Sequence, residues 1–158
     1  MKTRLLSLCV ILGAFAGGAL AESKSSPPFV GTWKLNLAKS TYSPGPPPKS
    51  VVVKHESVKD GMTQVTDGID AEGKPFHTEY TAKFDGKEYP VTGGPPGDAI
   101  ALKTIDAYTT EWTWRNGSRV VSTGRAVYSR DGKLRTLTYT GTNDKGEKVS
   151  NTAVFDRQ

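Results

Sequence analysis

Six short turn signals, spread along most of the chain, constrain its fold more than any other feature. Each places glycine beside aspartate, asparagine, glutamate or lysine: Lys59-Asp60-Gly61, Glu72-Gly73, Asp85-Gly86, Asn116-Gly117, Asp131-Gly132 and Asn143-Asp144-Lys145-Gly146. Such pairs suit the positive φ of tight hairpins. Segments joined by connections this short run antiparallel to each other.

The segments between the turns alternate apolar and polar side chains, which is the period of a half-buried strand. Ten such runs are predicted, at 29–37, 50–58, 62–69, 76–84, 88–91, 100–105, 108–115, 119–128, 134–140 and 148–156. We therefore predict an all-β fold, a single up-and-down antiparallel β-barrel of about 8–10 strands without a helical lid. Closing the barrel removes exposed sheet edges, although a two-sheet sandwich fits the same pattern.

The N-terminal segment is typical of a cleavable secretory signal. Lys2 and Arg4 precede an apolar run at 5–16, and small residues follow up to Ala21, after which we expect cleavage. The predicted organisation is a signal peptide at 1–21, a disordered leader at 22–28 and a β-barrel domain at 29–158. The mature protein is expected in the periplasm or the extracellular space, without an integral membrane span, because no apolar run is long enough.

Cysteine usage agrees with this organisation. Cys9 is the one cysteine and lies inside the predicted signal, so the mature chain would contain no thiol. A lipoprotein anchor at Cys9 is the alternative, but Leu8 stands where a small residue is required.

Composition and motifs exclude several function classes. The net charge is +5 for the whole chain, and its basic residues alternate with acidic ones along the strands, which does not predict nucleic-acid binding. The two histidines, His55 and His77, lack metal-ligand spacing, and the chain contains no Gly-x-Ser-x-Gly elbow. We expect no cofactor, no metal and no catalysis, and we expect a monomer.

Charged residues on one face of a strand indicate which side points inward. By this criterion Trp112 and Trp114 face the interior, as do Tyr80 and His55 on their strands. In the runs 119–128 and 134–140 the pattern does not predict which face points inward, so the position of Arg125 is open. The position of Asp67, which shares a face with Val65 and Ile69 in the run 62–69, is open as well. An inward Arg125 would bind an anionic head group; solvent is the favoured alternative, because arginines are rarely fully buried.

The candidate ligand-binding residues are Tyr80, Trp112, Trp114, Arg125, His55 and Tyr139. They predict a barrel that binds a small apolar or amphipathic ligand in its lumen. Core packing explains the aromatic residues equally well. The alternative function is therefore an envelope structural or interaction protein with a side-chain-filled barrel. Its binding surface would be the outer face or the proline-rich segment at 43–49, hereafter the proline strap. An enzyme would need His55 or Asp67 as a lumen acid or base.

The segment Phe29-Val30-Gly31-Thr32-Trp33-Lys34-Leu35 resembles the first strand of the calycins, the lipocalins and fatty-acid-binding proteins, whose tryptophan closes one end of the barrel. The resemblance implies that Arg157 stacks on Trp33. The arginine and tyrosine with which fatty-acid-binding proteins hold a carboxylate fall here at Ala153 and Phe155, and the proline strap replaces the helical lid. The chain is also similar to small exported bacterial lipocalin-like proteins of unassigned function, through its Trp-Lys-Leu-Asn start and the strap.

Overall fold

The computed structural model describes residues 26–94, 96–143 and 145–158. Within them ten strands follow one another: β1 (Gly31–Thr41), β2 (Ser50–Val58), β3 (Gly61–Ile69), β4 (Pro75–Lys83), β5 (Asp85–Gly93), β6 (Ala99–Asp106), β7 (Thr109–Asn116), β8 (Arg119–Tyr128), β9 (Leu134–Thr142) and β10 (Lys148–Arg157). The predicted signal at 1–21, with Cys9, and the leader up to residue 25 lie outside the described residues.

Each strand pairs antiparallel with its neighbours in sequence, and β10 pairs with β1, so the sheet closes into one barrel. The predicted all-β, up-and-down barrel is confirmed, and the sandwich is wrong. No helix within the described ranges is long and apolar enough to cross a membrane. The turns have the predicted geometry: Asp60 and Gly117 both adopt positive φ, 61° and 56°, in two-residue connections.

One end of the barrel is closed by an aromatic plug, formed by Trp33, Tyr128, Phe29 and Phe84. Trp33 is fully buried there, and its Nε1 donates a hydrogen bond to the Phe29 carbonyl at 3.0 Å. The Trp33 ring lies 5.5 Å from that of Tyr128, and the Phe29 ring lies 5.4 Å from that of Phe84. Trp33 therefore closes one end of the barrel, as the sequence resemblance implies.

The opposite end of the barrel carries the proline strap, and a hydrogen bond joins each end of the strap to a strand. The Ser43 carbonyl accepts a hydrogen bond from the Ser150 amide at 2.8 Å, and the Lys49 amide donates to the Ile69 carbonyl at 2.9 Å. The strap joins β1 to β2 and is therefore held at this end of the barrel by their outer neighbours, β10 and β3.

A β-bulge in β8 explains why the sequence pattern of this strand does not predict which face points inward. Trp114 pairs with Ser122 and Arg115 with Val120, so Val121 is an extra residue. Val121 and Ser122 are consequently both buried, although they are adjacent. Side chains therefore do not alternate regularly between the inner and outer faces along the whole of β8, and a period of two cannot describe the strand.

The structure corrects the predicted facing of Leu37 and decides that of Asp67, which the sequence leaves open. The period of β1 predicts that Leu37 shares the inward face of Trp33, but Leu37 is 43 % exposed, because the β1–β10 register shifts after Asn36. Asp67 points outward: its carboxylate lies 2.7 Å from His77 Nδ1, and the Asp67 side chain is 68 % exposed. Asp67 is therefore not a residue of the lumen.

Candidate functional site

A cavity of about 390 Å³ occupies the barrel interior above the aromatic plug. Its walls are mostly aliphatic and aromatic, with Tyr42 and Pro48 at the strap end and Val53 and Phe155 toward the plug. The volume lies within the range of about 300–1,000 Å³ typical of small-molecule pockets. The barrel is therefore not filled by its own side chains.

Four of the six predicted ligand-binding residues line this cavity: Tyr80, Trp112, Trp114 and Tyr139. The Tyr80 and Trp114 rings meet edge to face at 5.9 Å, and the Trp112 and Tyr139 rings are tilted at 5.8 Å. Aromatic pairs of this kind give the cavity wide, rigid apolar walls.

Gly124 makes the second aromatic pair fit. It lies between Trp112 on β7 and Tyr139 on β9 in the strand register. A Cβ atom at this position would overlap the Trp112 indole and would lie 2.7 Å from the Tyr139 Cβ. The missing side chain therefore gives the Trp112 ring its place on the wall.

His55 is buried beside the plug and is not one of the residues that line the cavity. Its Nδ1 lies 3.0 Å from the Phe29 carbonyl, and its Nε2 lies 2.8 Å from the Gln64 side-chain oxygen. Burial, followed by the positive charge of Arg135, lowers the pKa of His55 to about 3, so the ring is neutral at pH 7. The Phe29 carbonyl can only accept, so the single N–H belongs to Nδ1. A half-turn of the Gln64 amide would supply Nε2 with a donor.

Arg125 lies on the outer surface of the barrel and does not reach the cavity. Its Nη2 is 2.6 Å from the Glu111 carboxylate, and its side chain is 56 % exposed. Arg125 is therefore not a ligand-binding residue of the cavity, and the solvent-facing alternative that the sequence favours is confirmed. The reason is the phase of β8 below its bulge, where Gly124 and Ala126 face inward and Arg125 faces outward.

The arginine of the interior is Arg135, which the sequence reasoning missed. It is 5 % exposed and stands directly opposite Tyr128 on β8 and Phe155 on β10. Its guanidinium carbon lies 5.2 Å from the centroid of the Phe155 ring. Within the described protein its Nε and Nη1 atoms are buried without a hydrogen-bond partner.

The facing of Arg135 follows from the register of the β9–β10 hairpin, which the structure supplies. Thr142 pairs with Lys148 next to the turn, and counting along both strands from that pair reaches Arg135 opposite Phe155. Because residues directly opposite each other share a face, an inward Phe155 implies an inward Arg135.

The positive charge of Arg135 acts on two tyrosines near the closed end of the cavity. Burial raises the pKa values of Tyr80 and Tyr128, and Arg135 is the largest opposing influence on both. Burial prevails, so both phenols are neutral at pH 7. Among the described residues that line the cavity, Arg135 alone carries a formal charge at that pH.

The described ranges contain no group of three or more His, Cys, Asp or Glu side chains placed to hold a metal ion. Comparison with protein-family models and with curated proteins finds no match to this chain. The structure itself is compatible with a calycin-like fold: a closed ten-stranded antiparallel barrel with an internal cavity.

Proposed function

We propose that this protein is a binding protein that holds one small, mostly apolar molecule inside its barrel. The observation that carries the proposal is the cavity of about 390 Å³ with two aromatic pairs on its walls. An apolar molecule that enters such a space leaves water and gains dispersion contacts with rigid rings.

The polar groups of the cavity wall are few, and several bond to each other. The Tyr80 hydroxyl lies 2.9 Å from the side-chain amide of Gln64, with which it forms a hydrogen bond, and Ser122 Oγ donates to the Thr140 carbonyl at 3.0 Å. Groups that are satisfied in this way compete little for a ligand, which favours a mostly apolar one.

The alternative, an envelope structural or interaction protein, requires a barrel filled by side chains, and the cavity volume weighs against it. No catalytic role is proposed. Asp67 lies outside the barrel, and His55 is held between Phe29 and Gln64.

We further infer export, with the protein in the periplasm or the extracellular space after cleavage at Ala21. The charged start, the apolar run and the small residues before position 22 support this inference. Fractionation of cells that produce the full chain, with N-terminal sequencing of the product, tests it; an uncleaved cytoplasmic product contradicts it.

The binding proposal is tested by titrating the purified protein with the uncharged fluorophore N-phenyl-1-naphthylamine. We expect a blue-shifted, saturable emission with one site per chain. Two neighbouring positions on β9 provide matched variants: Leu137 lines the cavity, and Thr138 is exposed on the outer face. Leu137→Trp fills the cavity and should weaken binding at least about tenfold, whereas Thr138→Trp should leave it unchanged.

Two results contradict the proposal. The first is the absence of saturable binding to the folded protein. The second is equal binding by the Leu137→Trp and Thr138→Trp variants, which would place the fluorophore outside the barrel. Circular dichroism of each variant verifies that the barrel has folded.

A further inference from the structure

We propose that the ligand is an organic anion whose acidic group is bound by Arg135 at the floor of the cavity and whose apolar body extends toward the proline strap. This inference rests on the proposed function and names its ligand class. The observation that carries it is a buried guanidinium, 5 % exposed, with Nε and Nη1 lacking a partner in the described protein.

A buried charge is costly unless something neutralises it. An arginine keeps its positive charge in proteins, and burial of an unpaired cation is strongly unfavourable even after the surroundings relax. The contact with the Phe155 ring offsets part of that cost, because the ring face attracts a cation. A side-chain hydrogen bond with Tyr128 is a second, neutral contact. Nε and Nη1 still lack a partner, and no negative charge within the described ranges balances the guanidinium.

The neighbours of Arg135 cannot supply a negative charge. His55 is neutral, and the phenols of Tyr80 and Tyr128 keep their protons at pH 7. No described residue of the cavity wall is an aspartate or a glutamate, and no ion pair within the described ranges involves Arg135. A carboxylate from outside the protein would complete the charge balance, because charge-assisted hydrogen bonds to guanidinium are among the strongest that proteins make.

The position of Arg135 sets the orientation of the ligand. Arg135 is the second residue of β9, and the inward residues that follow toward the strap are Leu137 and Tyr139. At ~3.3 Å per residue, Arg135 and Tyr139 are separated by about 13 Å along the strand. A ligand bound at Arg135 therefore needs an apolar body of about this length to reach the Trp112–Tyr139 pair.

The apolar walls exclude a small inorganic anion as the main ligand. Phosphate or sulfate would gain the interaction with Arg135 but would lose its hydration against aromatic and aliphatic side chains. The class that satisfies both parts of the cavity is a monoanion with an extended or ring-shaped apolar body.

The test compares two molecules of nearly the same shape whose head groups differ in charge. They are decanoic acid and its primary amide, decanamide, used as competitors of N-phenyl-1-naphthylamine at pH 7.5. We expect the acid to displace the fluorophore from the wild-type protein at a concentration at least about tenfold lower than the amide, the lower end of what one charge-assisted hydrogen bond contributes. In Arg135→Met that preference should disappear. Arg125→Met removes an arginine from the outer surface and should leave the preference intact.

Each outcome decides the question. Equal displacement by acid and amide in the wild-type protein overturns this inference and leaves the proposed function standing. Failure of the fluorophore itself to bind removes the proposed function as well. A preference for the acid that persists in Arg135→Met assigns the anion site elsewhere and overturns the role of Arg135.

A stability measurement separates ligand binding from a purely structural role. If Arg135 serves a ligand, replacing the unpaired cation by an apolar side chain of similar length should raise the unfolding temperature of the ligand-free protein. A lower unfolding temperature of Arg135→Met would mean that Arg135 stabilises the barrel, and it would contradict the proposal. The comparison of acid and amide in the wild-type protein decides the ligand class even if the variant does not fold.

Discussion

The Arg157 guanidinium lies 5.0 Å from the centroid of the Trp33 indole and covers the closed end of the barrel. Arg157 also donates hydrogen bonds to the carbonyls of Val30 and Gly132. Gly31 makes room for this contact, since a Cβ atom there would lie 2.7 Å from Arg157 Nη2, and its φ of 138° disfavours other residues. The Gly-x-Trp start and the penultimate arginine thus form one structural unit.

Removing the Arg157 side chain should lower the stability of the barrel. We expect Arg157→Ala to reduce the free energy of unfolding by about 1–2 kcal/mol, because it removes a cation–π contact together with two backbone hydrogen bonds. Urea denaturation measures the change. Arg119→Ala, an exposed position at the opposite end of the barrel, is the control and should stay within about 0.5 kcal/mol of the wild type. Equal effects of the two substitutions would contradict the role of Arg157.

Gly124 should be intolerant of even one added methyl group. Gly124→Ala places a Cβ atom in the Trp112 ring, so we expect a loss of about 1–3 kcal/mol of unfolding free energy. Gly94→Ala is the matched control, because the nearest heavy atom to its Cβ is 3.9 Å away. A Gly124→Ala protein as stable as the Gly94→Ala protein would show that Trp112 does not depend on this gap.

Mild acid should destabilise the protein through His55. In the folded barrel burial and Arg135 lower the pKa of His55 to about 3, whereas its usual value is 6.5. His55 therefore becomes protonated below pH 6.5 in the unfolded chain, but only near pH 3 in the folded barrel. The free energy of unfolding keeps this contribution above pH 6.5 and falls as the pH drops through this window, by about 1.4 kcal/mol per pH unit.

Chemical denaturation at pH 7 and at pH 5 measures this effect, with an expected loss of about 2 kcal/mol. His55→Gln should flatten the dependence, since it removes the titrating ring. His77→Gln removes the other imidazole, on the exposed outer face, and should preserve the loss. If His55→Gln retains the full pH dependence, another group is responsible.

The Arg125–Glu111 pair should contribute little to stability despite its short contact of 2.6 Å. Exposed ion pairs contribute about 0–1 kcal/mol because water screens the charges. A double-mutant cycle with Arg125→Ala and Glu111→Ala measures the coupling energy. We expect less than about 1 kcal/mol and, in addition, unchanged fluorophore binding by Arg125→Ala. Weaker binding by this variant would contradict its position outside the cavity.

Local chemistry allowed much of the fold to be predicted. The bounds of β2 and β8 agree with their predicted runs, because turn residues and side-chain alternation act over a few neighbouring positions. The same alternation placed Tyr80, Trp112 and Trp114 inside correctly. It failed at Leu37, where the β1–β10 register shifts, and it left the facing of Arg125 open, because β8 contains a bulge. Neither irregularity is visible in the alternation itself.

The sequence by itself determined the number and direction of the strands, the hairpin turns and the aromatic plug around Trp33. These features depend on backbone preferences, on short connections and on a motif of a few residues. Only the tertiary structure decided which arginine lies inside, because the facing of Arg125 and Arg135 depends on pairing across β8, β9 and β10. It also decided that the aromatic residues surround a cavity of about 390 Å³, because closure of the sheet sets the volume that the side chains must fill.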